Sequence, residues 1–158
     1  MTRKDELLAS YDDALNYECE SIELALSGIT EEEAAFQHLV YRDEPLEEGY
    51  PPSGTILWQL VHLGYCYKRY RSIIENRPTD PPQPAAPFAN TFAQAKENLL
   101  TYRKELRETV ASLSEAQLDE QLFLGHSVIE HVRMSIRHDA WHMAQVSVAR
   151  RLYRNRNK

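Results

Sequence analysis

The C-terminal segment that begins at Ser127 reads SVIEHVRMSIRHDAWHMAQVSVARRLYRNRNK and contains neither proline nor glycine. Glu130 follows Ser127 by three residues, which is the spacing of a capping box, where each side chain accepts a hydrogen bond from the other residue's backbone N–H. Because nothing after this box breaks a helix, the segment predicts one long helix near 128–153.

Prolines divide the rest of the chain into blocks. All eight lie in two windows, 45–52 and 78–87, and proline is excluded from helix interiors because it lacks the N–H and clashes with the preceding turn. Apolar residues recur at helical spacing in each remaining block. They predict helices near 4–27, 53–76 and 91–113, with short extra helices after Thr30 and Ser114 and a proline-rich linker at 77–90.

Four long helices without a convincing strand favour an all-α fold, a four-helix bundle with short extra helices in its connections. The chain has 158 residues, enough for one domain with a sizeable core, so we expect a single domain over 1–158. Only five glycines occur, which is too few for a sandwich or barrel with a tight turn about every ten residues.

Composition excludes several classes of function. The net charge of −6 argues against nucleic acid as a partner. No uncharged stretch is apolar enough to span a membrane, and the N-terminus lacks the apolar core of a signal peptide, so we expect a cytoplasmic protein. The two cysteines, Cys19 and Cys66, cannot form a disulfide framework.

The most informative residues for function are two histidines of the last helix, His138 and His142. Four residues apart on a helix, two imidazoles lie on one face about 6 Å from each other, which suits two ligands of one metal ion. Gln145 lies on the same face one turn later. A pair of this kind is also found in proteins where both histidines are structural, so the spacing alone leaves both interpretations open.

Two features argue against a zinc protease: His138 to His142 carries aspartate where the general-base glutamate would stand, and residues 143–158 contain no further ligand. A third ligand must therefore come from upstream, and His62, placed mid-helix among apolar residues, is the best candidate. Its alternative is a core histidine bonded to a tyrosine or a carbonyl. His131 lies about 10.5 Å from His138 along the helix axis, too far to share one ion.

The segments Leu57 to Leu63 and Arg137 to Val146 resemble the DinB/YfiT-like superfamily, whose members carry a lone histidine on the second helix and His-x-x-x-His-x-x-Gln on the last. This chain has Met143-Ala144 where many relatives have an arginine- or alanine-glycine pair. The resemblance implies a bundle with up-down-down-up connectivity, frequent homodimers, and one divalent metal ion held by His62, His138 and His142.

Characterised members of this superfamily include bacillithiol S-transferases and mycothiol-dependent isomerases. The resemblance therefore suggests an enzyme in which the metal ion activates a low-molecular-weight thiol that attacks an unidentified small-molecule electrophile. Zinc or nickel would be the metal, with manganese or iron as other candidates. Asp139, Gln145 and Gln59 are expected to orient the ligands.

Two other classes of function stay open in the sequence. Cys66 lies one turn beyond His62, and a site of one cysteine and three histidines would be closed and structural. The protein would then be a metal-stabilised bundle. The second class is a stress-related interaction protein, metal-free or metal-stabilised, whose acidic N-terminal half binds a basic partner. A metal-dependent hydrolase is the remaining alternative.

Overall fold

The structure is a computed structural model that describes residues 1–18, 21–38, 50–76, 79, 81 and 89–158. Its four longest helices are α1 (Arg3–Asn16), α4 (Ile56–Glu75), α5 (Phe92–Ser112) and α6 (Val128–Asn155). Two short helices, α2 (Ile22–Leu26) and α3 (Glu31–Ala35), lie between α1 and α4, and a 3-10 helix, Ala116–Asp119, precedes α6.

The bundle forms because each long helix contributes apolar side chains to one core. Helix α4 packs against both α5 and α6, and α1 packs against α5 and α6. The described residues contain no β-strand, only an isolated antiparallel bridge between Gln121 and Ser127. Members of the core come from all four helices: Leu7, Tyr11, Leu60, Leu63, Leu99, Leu106, Val132 and Val146. The predicted all-α bundle is confirmed, whereas the directions of its helices stay a prediction.

The observed starts of three helices agree with those predicted from the sequence, because helix capping depends on residues that are close together in the chain. The side chains of Thr55, Thr91 and Ser127 each accept a backbone N–H at the start of α4, α5 and α6. At α6 the capping box is complete, since the Glu130 carboxylate accepts the backbone N–H of Ser127 in return. Most of the predicted linker at 77–90, and Cys19, lie outside the described residues.

The single helix predicted near 4–27 is wrong. Helix α1 ends at Asn16, Tyr17 is extended, and α2 begins after Ser21, whose hydroxyl accepts the backbone N–H of Leu24. Leu15 and Ile22 are seven residues apart, so the apolar pattern stays in helical phase across the break. Periodicity therefore could not reveal the break.

Short helices α2 and α3 are fastened to the end of α6. The buried Glu33 carboxylate pairs with the guanidinium of Arg150 at 3.4 Å and with that of Arg154 at 3.3 Å. Arg150 also donates to the backbone carbonyl oxygens of Ala25 and Ser27, each at 2.7 Å. Two of the C-terminal arginines, Arg150 and Arg154, are therefore paired within the protein, next to the acidic helix α3.

Candidate metal centre

Three histidines from two helices meet in the bundle. His62 comes from the middle of α4, and His138 and His142 from successive turns of α6. One ring nitrogen of each lies within 4.8 Å of those of the other two. His142 is buried, whereas His62 and His138 are half-buried. We call these three residues the imidazole cluster; all three residues chosen from the sequence belong to it.

The closest approach in the cluster joins the Nε2 atoms of His138 and His142, which are 2.8 Å apart. The ring of His62 lies 4.9 Å from that of His142 and 5.5 Å from that of His138, centroid to centroid. Ligand atoms of one zinc ion, each about 2.1 Å from the metal, lie up to about 4.2 Å apart. Ring nitrogens that lie within 4.8 Å of one another are therefore close to the spacing that a single ion requires.

Gln59 holds His142 through Nδ1, the ring nitrogen that does not face His138. Its side-chain oxygen contacts Nδ1 of His142, and its side chain is fully buried. A carbonyl oxygen can only accept, so Nδ1 of His142 carries the proton and donates it. The Nε2 atom of His142 is then left with a lone pair directed into the cluster, the state that a metal ligand requires.

Tyr70 takes the corresponding place on His138. Its hydroxyl lies 2.9 Å from Nδ1 of His138, on the side of the ring away from the cluster. A hydroxyl can both donate and accept, so this contact allows either neutral tautomer of His138. Sequence reasoning missed Tyr70.

Two neighbours on α4 border His62. The indole of Trp58 stacks on its ring at 4.9 Å between centroids, with the planes 10° apart. The Cys66 sulfur lies 3.5 Å from Nε2 of His62. Trp58, His62, Cys66 and Tyr70 follow one another at intervals of four residues, so they form one stripe along α4. This spacing is the sequence signal that could have found Trp58 and Tyr70.

Burial keeps the imidazoles neutral. Burial, with a smaller contribution from the neighbouring imidazoles, lowers the pKa of His62 to about 4 and that of His142 to about 3. Burial also lowers the pKa of His138. Neutral imidazole is the form that coordinates a metal ion, so at neutral pH protons do not compete for the cluster.

Cys66 lies beside the cluster without joining it. Among the described residues, the group whose ligand atoms are mutually within 4.8 Å comprises the three histidines and does not include the Cys66 sulfur. Burial raises the pKa of the Cys66 thiol to about 12. The thiol is therefore protonated at neutral pH as long as no ion is coordinated to it.

Among the described residues, no hydrogen bond joins Asp139 or Gln145, both expected to orient the ligands, to the imidazoles. The carboxylate of Asp139 accepts hydrogen bonds from Tyr67 and Arg103 instead. One residue along a helix turns a side chain by about 100°, so Asp139 cannot share the direction of its neighbour His138. Gln145 is half-buried, and its side chain makes no hydrogen bond to the described part of the chain.

The other histidines occupy three different environments. His126 is exposed, as its place in a connection predicts. His38, also expected at the surface, is half-buried, and both of its ring nitrogens are inaccessible to solvent. His131 is 1% exposed and packs edge-on against the ring of Tyr70 at 4.9 Å.

A cation fits the imidazole cluster on chemical grounds. With Nδ1 of His142 donating to Gln59, its Nε2 lone pair faces Nε2 of His138 at 2.8 Å. That separation requires something positive between the two nitrogens, either the proton of His138 Nε2–H or a metal ion. Three neutral imidazoles are typical ligands of zinc, nickel, copper and iron. The residues present therefore suit a divalent transition metal.

No helix in the described part of the chain is both long and apolar enough to cross a membrane.

Comparison with known proteins agrees with this description of the site. Searches of curated proteins and of solved structures returned no match. A sequence model of the DinB superfamily matches residues 17–146, a range that contains all three histidines of the cluster. The chain therefore belongs to the DinB superfamily.

Proposed function

We propose that this protein is a metal-dependent enzyme that transfers a low-molecular-weight thiol to a small-molecule electrophile. The observation that carries the proposal is the convergence of three neutral imidazoles, in a group to which the described residues contribute no fourth ligand. Catalytic zinc sites use three protein ligands and keep one position for water or substrate, whereas structural sites are closed by four.

The state of Cys66 supports an open site. A closed site of one cysteine and three histidines would need the Cys66 sulfur among the ligands, yet among the described residues this sulfur lies outside the group. The second candidate, a metal-stabilised bundle without activity, depends on that sulfur as a ligand. The geometry therefore favours an enzyme over a purely structural site.

The residues around the cluster have defined tasks in this proposal. Gln59 holds His142 in the tautomer with a bare Nε2. Trp58 covers one face of His62 and fixes the plane of its ring. When bound, a zinc or nickel ion would lower the pKa of a thiol at its vacant position, so that the thiolate is available near neutral pH.

The overall reaction balances without an oxidant or a reductant. The sulfur of the thiol forms a bond to an electrophilic carbon, the leaving group departs with its electron pair, and the thiol proton passes to solvent. The substrate is a small molecule, and the protein would act in the cytoplasm as a homodimer with no nucleic acid or membrane partner. The superfamily match supports the metal site, and the thiol chemistry rests on the likeness to thiol-transferring members of the superfamily.

Cobalt substitution tests whether the site is open. Cobalt-loaded protein should lack the intense near-ultraviolet band of sulfur-to-metal charge transfer, and addition of a small thiol such as cysteine should create it. Cys66→Ser should behave as the wild type in both states, because Cys66 is not a ligand in this proposal.

The opposite pattern would contradict the proposal. A charge-transfer band present before any thiol is added, and lost in Cys66→Ser, would mean a closed structural site. We would then replace the transferase by a metal-stabilised bundle. A site that binds cobalt but yields no band with any small thiol would favour the hydrolase alternative.

A further inference from the structure

A pocket of about 330 Å³ lies on the first half of α6, outside the imidazole cluster. It is lined by four residues of that helix and by the residue before the helix cap: His126, Glu130, Arg133, Met134 and Arg137. None of these side chains belongs to the group of three histidines that could hold a metal ion. We call this cavity the arginine pocket.

The two arginines of the pocket have no carboxylate partner, although the protein has a net charge of −6. Most other arginines in the described part of the chain are paired. Arg3, Arg71 and Arg107, for example, each contact a carboxylate at 2.6–3.4 Å. Arg133 and Arg137 are exposed, and neither makes a hydrogen bond or an ion pair with another described residue. Like charges four residues apart on a helix repel each other, so this pair favours a ligand that brings a negative charge.

Glu130 is the carboxylate that lines the pocket, and it is already engaged at the start of α6. It accepts the backbone N–H of Ser127 at 2.7 Å and the Ser127 hydroxyl at 2.9 Å. These hydrogen bonds, with smaller contributions from His126 and Arg133, lower the pKa of Glu130. Two guanidiniums and one carboxylate leave the pocket with one net positive charge when His126 is neutral. That charge matches a single carboxylate, which a guanidinium binds through two parallel hydrogen bonds.

Helix geometry places the arginine pocket beside His138. Met134 precedes His138 by one turn, so the two side chains lie on one side of α6, about 6 Å apart along its axis. Arg137 is the residue directly before His138. His138 is half-buried, so the imidazole cluster is reachable from solvent at this residue. A ligand held at the cluster by one end can therefore extend over Met134 toward the arginines.

We infer that Arg133 and Arg137 bind the carboxylate of the thiol whose sulfur occupies the vacant position of the metal site. This inference rests on the proposed function and names its substrate class: a low-molecular-weight thiol that carries a carboxylate several bonds from the sulfur. The two arginines determine specificity, since they contact the substrate away from the reacting atoms. Met134, which is half-buried, provides an apolar surface for the carbon atoms between the two ends.

Two thiols that differ in one charged group test this inference. N-acetylcysteine has a carboxylate, whereas N-acetylcysteine amide has none. Titration of each thiol into cobalt-loaded protein gives an affinity from the sulfur-to-metal charge-transfer band. We expect Arg133→Gln and Arg137→Gln each to weaken the binding of N-acetylcysteine about tenfold, the usual effect of losing a hydrogen bond to a charged group. Neither variant should alter the affinity for the amide. Each thiol is compared across variants, so the difference in acidity between the thiols cancels.

The matched control is Arg151→Gln. Arg151 is also an exposed arginine of α6 without a carboxylate partner among the described residues, but it lines a different groove, beside Leu24 and Ala25 of α2. This variant should bind both thiols as the wild type does. Because all three arginines are exposed and unpaired, their replacement should leave the fold intact, which circular dichroism would verify.

Sodium chloride supplies a second readout on the wild type. Raising its concentration should weaken the binding of N-acetylcysteine and leave that of the amide unchanged, because salt screens exposed charges. A role of the arginines in structure alone would not produce this difference between the two thiols.

The outcomes separate this inference from the proposed function. If both thiols give the band and the variants at Arg133 and Arg137 bind N-acetylcysteine as tightly as the wild type, the inference is overturned while the proposed function stands. Equal weakening by Arg151→Gln would also overturn the inference, because the effect would then belong to the overall charge of α6. If neither thiol gives the band, the proposed function fails together with the inference. If a variant does not fold, the salt titration decides, and equal salt dependence for both thiols overturns the inference.

Discussion

Two polar clusters occupy adjacent faces of α6, and they begin at neighbouring residues. His138 belongs to the imidazole cluster, whereas Asp139 belongs to what we call the carboxylate cluster, formed by Tyr11, Tyr67, Arg103 and Asp139. The carboxylate cluster takes one residue from each of α1, α4, α5 and α6. All four of its side chains are at most 2% exposed.

The carboxylate cluster contains its own cation. The guanidinium of Arg103 lies 3.4 Å from the Asp139 carboxylate and 3.8 Å from the centre of the Tyr11 ring, and it also donates to the backbone carbonyl oxygen of Tyr11. Tyr67 donates to the second carboxylate oxygen. The imidazole cluster instead consists of three neutral rings that each bring one nitrogen within 4.8 Å of the other two. The comparison indicates that the first cluster holds the helices together and that the second is built for a ligand.

The largest expected effect is on folding, at the carboxylate cluster. Asp139→Ala should lower the free energy of unfolding by about 3–5 kcal/mol, because it leaves the buried charge of Arg103 unpaired. Urea denaturation would measure this loss. Glu108→Ala is the matched control, since Glu108 pairs with Lys104 at 3.8 Å on the surface and such pairs contribute about 0–1 kcal/mol.

Equal losses in Asp139→Ala and Glu108→Ala would contradict the role given to the carboxylate cluster. The division between the clusters would also fail if Asp139→Ala kept its stability but released the metal. Asp139 would then act on the imidazoles despite its contacts with Tyr67 and Arg103.

Next in size is the loss of metal from the imidazole cluster. Alanine at His62, His138 or His142 should remove most of the bound metal while the helices stay folded, because each variant takes away one of three ligands. Elemental analysis would report the metal and circular dichroism the fold. The matched control is His126→Ala, which removes an exposed imidazole outside the cluster. Stoichiometric metal in all three variants would show that the ligands were wrongly chosen.

The smallest effect distinguishes two glutamines near the cluster. Gln59→Leu should weaken zinc binding about tenfold, because Nδ1 of His142 loses its acceptor. Gln145→Leu should leave the affinity unchanged, since the Gln145 side chain makes no hydrogen bond to the described residues. Chelator competition would compare the two. A larger loss in Gln145→Leu than in Gln59→Leu would reverse the assignment.

These contrasts show which features a sequence can predict. Thr55, Thr91 and Ser127 cap helices through hydrogen bonds to residues three positions away, so local pattern was enough to place them. The break between α1 and α2 was not predicted because the apolar residues keep their helical spacing across it. Ser21, which caps α2, is a local sign of that break, but it lies inside an otherwise regular apolar pattern.

The residues of the site likewise differ in how well the sequence predicts them. The pair His138 and His142 follows from helix geometry, and His62 stood out because an unpaired imidazole among apolar residues needs a reason to be buried. Asp139 was assigned to the wrong neighbours because its partner Arg103 is 36 residues away in the chain. Tyr70 lies on the same four-residue stripe as His62, but it was missed because its contact with His138 depends on how α4 packs against α6.

The central claim is that His62, His138 and His142 together hold one divalent metal ion. The most direct measurement is the metal content of protein purified without an affinity tag, combined with X-ray absorption to identify the ligand atoms. We expect one ion per chain, coordinated by imidazole nitrogen with oxygen in the remaining positions and no sulfur. Protein that takes up no ion when offered zinc and nickel, or that binds its ion through sulfur before any thiol is added, would contradict the claim.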